Sequence, residues 1–359
     1  MPSVRFDNGS GDCRPQKGGL MRRPLIILTV SIALATATAA AQRRATRSTI
    51  HKLDELTAPQ IAALDRERTI FILPVGMLEQ HGPHLPIGAD SLAVVYEANG
   101  AARRAARDLA GWSIVMMPPV NYGQSGANRL GDQRYHPGTY SIRQATLRSL
   151  IADIGGQLAG NGFKWIFVIN GHGAPTHNIA LNEACDFVSE TYGVTMLHLT
   201  ALFRADPAIQ TIGNEITAKH FSAAEITAFG MDVHAGPGET SGMLAVRPDL
   251  VRPMYKTLPS RAGASIEELR RIATSPDWQG YLSSPAKATA AYGRAVELWW
   301  LNGFADLIVR TVQGENMFEH PRTPDTIPAP IAPVLEAELA EEQAFQTRLE
   351  DWLARRLRP

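Results

Sequence analysis

Four short apolar runs, with helix-length segments between them, constrain this chain more than any other feature. Thr69-Ile70-Phe71-Ile72-Leu73-Pro74-Val75 ends at Gly76, and Trp112-Ser113-Ile114-Val115-Met116-Met117 is closed by Pro118-Pro119. Trp165-Ile166-Phe167-Val168-Ile169 and Val194–Leu199 complete the set. Such runs are too short for core helices and too continuous for half-exposed strands, so they read as strands buried on both faces. The Ala-rich segment Ser91–Leu109 has helical spacing, with Arg103, Arg104 and Arg107 on a shared wet face. Ser141–Leu158 reads as an amphipathic helix ended by Gly160 and Gly162, and another helix runs from about Thr176 to Tyr192. Strands alternating with helices predict a mostly parallel sheet covered on both faces. Residues 286–312 make one more helix, with Trp299-Trp300 towards its far end as core or subunit interface. Five prolines between Pro321 and Pro333 then interrupt structure. Ala337–Leu357 is a charged terminal helix expected to pack on a neighbouring element or a partner subunit. No internal repeat is evident.

Composition narrows the class. Of 359 residues, 45% are hydrophobic and 19% charged, which excludes a disordered chain, a coiled coil and a polytopic membrane protein. Lys+Arg and Asp+Glu both count 35, so no basic surplus argues for nucleic acid. The amino terminus reads as processing information. Arg22-Arg23 precedes the apolar run Leu25–Leu34, and a small-residue tract reaches Ala39-Ala40-Ala41. These are the parts of a secretory signal peptide, cleaved near Ala41, and Met21 is an alternative start. An uncleaved anchor is the competing reading, but the strongly apolar part covers about half of the roughly 20 residues a bilayer needs. Removing residues 1–41 takes away five basic and two acidic residues, leaving 30 against 33. It also removes Cys13, so the mature chain holds only Cys185, a small buried hydrophobe in a helix. A periplasmic or secreted location is expected.

The chemistry gathers in three clusters. Glu79-Gln80-His81-Gly82-Pro83-His84-Leu85-Pro86-Ile87-Gly88-Ala89-Asp90 follows the first apolar strand, where open α/β sheets place their ligands. Carboxylates and imidazoles on a Gly/Pro loop suit a divalent transition ion, although a polar loop of hydrogen-bonded histidines fits this cluster taken alone. Asn170-Gly171-His172-Gly173 follows the third strand, and Asp232-Val233-His234-Ala235-Gly236-Pro237-Gly238-Glu239-Thr240-Ser241 repeats the pattern of acid, imidazole and Gly/Pro loop. Parallel strands bring their carboxyl ends together, so the convergence of three clusters favours a metal site.

At this point the sequence resembles the creatininase (creatinine amidohydrolase) family. The resemblance rests on Leu73-Pro74-Val75-Gly76 followed by Glu79-Gln80-His81-Gly82-Pro83-His84-Leu85-Pro86 and Asp90. The Asn-Gly-His-Gly and His-Ala-Gly-x-x-Glu-Thr-Ser segments follow in the family's order. Asn121-Tyr122-Gly123 with Pro137-Gly138-Thr139 resembles its substrate-side loop. The resemblance covers roughly residues 52 to 315. It implies a three-layer α/β/α sandwich, a ring-like homo-oligomer (a hexamer), two divalent ions per subunit and hydrolysis of an amide-type C–N bond. Zinc is expected, with manganese or iron as alternatives. It further implies Glu79, His81, Asp90 and His172 as metal ligands, with Asp90 bridging. Creatininases proper take their next ligand from a Glu two residues after the strand-end His, here Ala174. Relatives with a Gly-rich loop use the Glu of the Glu-Thr-Ser motif, here Glu239. Val233 stands where creatininase itself carries a Glu before the final His. Both departures argue against creatinine as the substrate, and neither touches the metal. The chain is expected to divide into a signal peptide (1–41), a linker (42–51), the hydrolase domain (52–315), a Pro-rich linker (316–334) and a C-terminal helix (335–359).

Two cations bridged by Asp90 would lower the pKa of a shared water and polarise the substrate carbonyl. The leaving nitrogen then needs a proton, and His234 is the expected shuttle. Asp232 either orients that imidazole or caps a turn. His84 is expected behind the ligands or against the substrate, with Tyr122 and His136 as further substrate contacts. Lys219-His220 reads as a solvated surface pair, and His51, His198 and His320 have no constellation around them. The favoured substrate is a small-molecule amide. A metallopeptidase, a lactone or ester hydrolase on the same site, and a non-catalytic metal or solute binder are the competing functions.

Overall fold

In the computed structural model, residues 48–133, 135–323 and 329–356 are described, so the stretch expected to be a signal peptide (1–41) lies outside them. Five strands, β1 (Thr49–Lys52), β2 (Thr69–Val75), β3 (Ser113–Met116), β4 (Trp165–Asn170) and β5 (Thr195–His198), form one sheet in the order β1-β3-β2-β4-β5. Every pairing is parallel, and β2 and β4 pair from Ile70 opposite Trp165 to Val75 opposite Asn170. All seven residues of β2 are buried, as its unbroken apolar run requires of a central strand.

Helices cover both faces, giving the three-layer α/β/α sandwich. Alternate side chains of one strand point to opposite faces, and β2 divides its residues accordingly. Ile70 and Ile72 pack with Val94, Ala98, Ala101 and Ala105 of α1 (Ala89–Asp108). Leu73 and Val75 pack on the other face, with Leu147 and Ile151 of α2 (Gln144–Gly160) and Leu181 and Val188 of α3 (Pro175–Tyr192). The Ala-rich face of α1 is what lets that helix lie close to the sheet. The short α4 (Leu199–Ala205) and the long α6 (Ala290–Val312) complete the first face, with α5 (Pro237–Val246) between them in sequence. Trp300 stacks on Phe203 with ring centroids 4.1 Å apart, and Trp299 donates to the Ile209 carbonyl, so both indoles serve this core. Cys185 is buried, and burial pushes its thiol up. Among the described residues no helix is long and apolar enough to cross a membrane.

Two boundaries differ from the sequence expectation. Residues 49–51, read as linker, belong to the edge strand β1, which is mostly exposed and therefore lacks the apolar run that marks the other strands. At the other end a helix, α7 (Ala332–Arg356), begins inside the stretch read as Pro-rich linker, and Pro333 sits in its first turn, where a missing N–H costs nothing. This helix packs on its own chain. Val334 and Leu335 are buried with Leu269 and Trp278, and the Arg129 Nε donates to Glu338 Oε1 at 2.9 Å.

The Glu338 carboxylate is 1% exposed. Burial, only partly offset by Arg129, pushes it up from the usual carboxylate range to about 7. Arg129→Met should therefore cost about 1–3 kcal/mol in urea denaturation, because it leaves a buried carboxyl without its donor. Between about 4.5 and 7 the folded state keeps a proton that the unfolded chain has already released, so stability falls as pH rises through that window. Loss of Arg129 should deepen this fall, giving a larger penalty at pH 8 than at pH 5; a penalty that does not change with pH would remove the ion pair as its cause.

Candidate metal centre

The three clusters converge at the carboxyl end of the sheet. The loop after β2 carries Glu79 and His81, the first turn of α1 carries Asp90, and the turn after β4 carries His172. The loop leading into α5 supplies His234, and the first turn of α5 supplies Glu239. Close approach of β4 to α1 depends on Gly171, since a Cβ there would lie 2.7 Å from the Asp90 carbonyl oxygen. Asn170 holds the same turn. Its Oδ1 accepts from the His172 N–H at 3.0 Å and its Nδ2 donates to the His172 carbonyl at 2.7 Å. Ala235, buried with φ +51, is in the left-handed region that a non-glycine residue adopts only at a cost. Its N–H donates to Glu239 Oε2 at 2.5 Å, which ties the strained turn to the carboxylate.

Among the described residues, three sets of donors have atoms within 4.8 Å of one another: Glu79–His81–His234, Glu79–Asp90–His172 and His81–Asp90–Glu239. The last two share Asp90, whose Oδ1 lies 3.2 Å from His81 Nε2 and whose Oδ2 lies 2.8 Å from His172 Nδ1. Each imidazole is anchored through its other nitrogen to a backbone carbonyl. His81 Nδ1 donates to Glu79 at 2.8 Å, His172 Nε2 to Gln124 at 2.9 Å, and His234 Nε2 to Gln80 at 2.7 Å. This arrangement fixes the tautomer and leaves the inward nitrogen of each ring as a donor for a cation.

The electrostatics fit the same purpose. Burial alone would push His81 and His172 down, but Asp90 and Glu239 beside the first, and Glu79 and Asp90 beside the second, hold them up at about 10 and 9. Burial would likewise raise Asp90, yet the two imidazoles outweigh it and keep its carboxyl well below the usual range. His234 goes the other way, to about 4, through burial and the neighbouring His81, so it is neutral at physiological pH. Ser125 donates to Glu79 Oε1, while Glu79 Oε2 is buried without a hydrogen-bond partner. A buried carboxylate oxygen in that condition calls for a cation or another donor.

The structure gives each remaining sequence candidate a definite setting. Ala174 is buried against Gly126, whereas Glu239 Oε2 stands 3.6 Å from His81 Nε2. Asp232 Oδ2 accepts from the Gly238 N–H at 2.8 Å, so its carboxylate caps the turn into α5, the second of its two expected roles. His84 has no exposed surface. Its Nε2 meets Thr240 Oγ1 at 2.9 Å and its ring edges against Tyr281, so it is held among buried side chains outside the three donor sets. His136 donates to the Pro137 carbonyl and lies nearest the Trp278 ring, while Tyr122 is half exposed on its loop; neither joins the cluster. Lys219 and His220 are exposed, and His198 is buried against Asn182.

Residues that the sequence did not single out complete the site. The Gln124 carbonyl and the Ser125 hydroxyl directly follow the Asn121-Tyr122-Gly123 loop, which was the available signal for them. His177 accepts the Gln124 N–H at 3.2 Å, and its ring centroid is 5.0 Å from that of His172. It lies in the first turn of α3, where nothing in the pattern marked it.

Comparison with known proteins agrees with this architecture. A family model described as creatininase (creatinine amidohydrolase) matches residues 54–308. A mycofactocin precursor peptide peptidase of Mycolicibacterium smegmatis is 29% identical over 67% of this chain and 85% of its own length. A creatinine amidohydrolase of Pseudomonas putida is 31% identical over 51% of this chain and 66% of its own. A crystal structure of creatinine amidohydrolase superposes with a TM-score of 0.53 at 26% identity, covering 74% of this chain and 98% of that one. A structure titled as the manganese form of creatininase gives the same TM-score and identity, over 74% of this chain and 99% of that one. With the family model spanning β2 to β5 and all three clusters, the chain belongs to the creatininase family and is a metal-dependent amidohydrolase.

Proposed function

We propose that this chain hydrolyses an amide-type C–N bond at a pair of divalent cations bridged by Asp90, and that it does so outside the cytoplasm. The observation that carries the reading is the sharing of Asp90 between the donor sets Glu79–Asp90–His172 and His81–Asp90–Glu239. Mixed imidazole and carboxylate donors fit zinc, manganese or iron, and the unpartnered Glu79 Oε2 supports a cation on that side. When bound, such cations activate water and polarise a carbonyl. The chain's own residues do the rest. Backbone carbonyls of Glu79, Gln124 and Gln80 hold the three imidazoles in register, and Ser125 orients Glu79. His234, neutral and with Nδ1 turned to the cluster, is placed to take a proton from the attacking water and give it to the leaving nitrogen.

A second reading of His234 has its own support. The ring belongs to the set Glu79–His81–His234, with Nδ1 3.8 Å from Glu79 Oε2, so it is also placed to bind a cation. On the substrate, the peptidase relative matches over more of this chain than the creatinine amidohydrolase does. Together with Ala174 and Val233, this favours an amide other than creatinine, including a short peptide. The reading includes a homo-oligomer, hexameric as the family resemblance implies.

Three measurements test these points. Elemental analysis should find about two divalent ions per subunit, because two three-donor shells sharing one carboxylate each remain to be completed by water. Asp90→Ala should disturb both ions and Glu239→Gln mainly one. If Glu239→Gln keeps both ions and full activity, Glu239 is not a ligand, and absence of metal after reconstitution would remove the mechanism. His234→Ala should keep both ions and lower amide turnover by about 10²–10⁴-fold, with a smaller loss on esters that carry good leaving groups. Equal losses on both substrates would make the residue a positioning group; loss of an ion would make it a ligand. Finally, protein recovered from a periplasmic fraction should begin near Gln42, whereas retention of residues 22–34 would favour an anchor.

A further inference from the structure

A cavity of about 240 Å³ opens beside the ligand cluster, and its chemistry changes with distance from it. Asp90, Ala93 and Glu97 are spaced three and four residues apart on α1, so they share one face of the helix. Glu97 is nearly two turns beyond Asp90, about 10 Å along the axis. Facing it are Glu297 on α6 and Arg204 on α4. Glu97 is 6% exposed and Glu297 is 4% exposed, and Glu297 Oε2 has no hydrogen-bond partner. Gly242 of α5 makes room for this carboxylate, since a Cβ there would stand 2.7 Å from Glu297 Oε1. The Arg204 guanidinium lies 5.9 Å from the Trp300 ring, and its charge acts on Glu97.

With both acids ionised, two carboxylates against one guanidinium leave the far end of the cavity one positive charge short. Burial holds Glu297 up at about 8, and burial with the facing Glu297 holds Glu97 well above the carboxylate range despite Arg204, so each keeps a proton that a bound cation would displace. A metal ion is the poorer fit, because none of the chelating sets includes either residue and no imidazole accompanies them. An ammonium on an organic chain fits better. Its three donors can serve both carboxylates, and its carbon chain can lie along Ala93 and the Trp300 ring.

We propose that this cavity selects amide substrates carrying a primary ammonium group, seated between Glu97 and Glu297, with the scissile carbonyl at the Asp90–Glu239 cluster. The proposal rests on the amidohydrolase reading of that cluster. Once a bound cation has displaced the protons of both acids, Arg204 leaves a single net negative charge, which one ammonium matches.

Calorimetric titration of the zinc- or manganese-loaded protein with ω-amino alkanamides tests this, using n-alkanamides of equal length as neutral controls and chains centred on 6-aminohexanamide. The amine should bind about tenfold or more tightly than its control at the best length, as charge-assisted hydrogen bonds allow. Glu97→Gln and Glu297→Gln, singly and together, should abolish that preference. Equal affinities in the wild-type protein, which need no variant to fold, would overturn the proposal. So would a preference that survives the double substitution, or tighter binding of the monoamides of dicarboxylic acids, which would give the pocket to Arg204. Binding is read without turnover, so the two readings fail separately. An amine preference without hydrolysis of any amide keeps the pocket and removes the amidohydrolase reading. Hydrolysis of neutral and cationic amides at equal kcat/KM does the reverse.

Discussion

Asp90 sits in the first turn of α1 with each of its oxygens turned towards a different imidazole, and the rest of the site is arranged around that placement. Gathering three carboxylates and three imidazoles at one end of a sheet is unfavourable unless positive charge accompanies them. The facing carboxylates are strong enough to hold His81 and His172 protonated against the effect of burial. A divalent cation meets the same demand with more charge in less space, and its binding displaces those protons. The sheet supplies the rigid frame for this. β2 and β4 are adjacent and parallel, so the loops after them must emerge side by side.

The outward side of each imidazole matters as much as the inward side. Three backbone carbonyls hold the three rings, and a backbone group cannot be changed by substitution. That places the tautomers under the control of loop conformation, at the price of strain at Ala235. The C-terminal helix takes part at one remove. Glu342 on α7 accepts from the Gln124 side chain at 2.7 Å, and Gln124 lies between His172 and His177 through its carbonyl and its N–H. A helix that looks peripheral in sequence thus bears on the loop that orients a ligand.

The fold was largely legible because its strands are buried on both faces and announce themselves as apolar runs. The edge strand β1 was not, since an exposed edge carries no such run. Helix α7 begins earlier than expected because proline in a first turn starts a helix as readily as it interrupts one. Clusters separated by up to about 150 residues were recognisable through their Gly/Pro-framed acids and imidazoles. The surroundings were not: His177, Glu97 and Glu297 sit inside helices, where a lone acid or imidazole looks like any other helical residue.

The sequence by itself therefore determined which residue types reach the carboxyl end of the sheet, because strand ends, loop length and glycine placement are written in local pattern. Only the tertiary structure decided which carboxylate faces which imidazole. Glu239 approaches His81 while Ala174 is packed against Gly126, and Asp232 caps a turn where it could have held His234. These choices depend on how α5 docks against α1 and α6. That docking is set by side chains far apart in the chain, so no local window of sequence contains it.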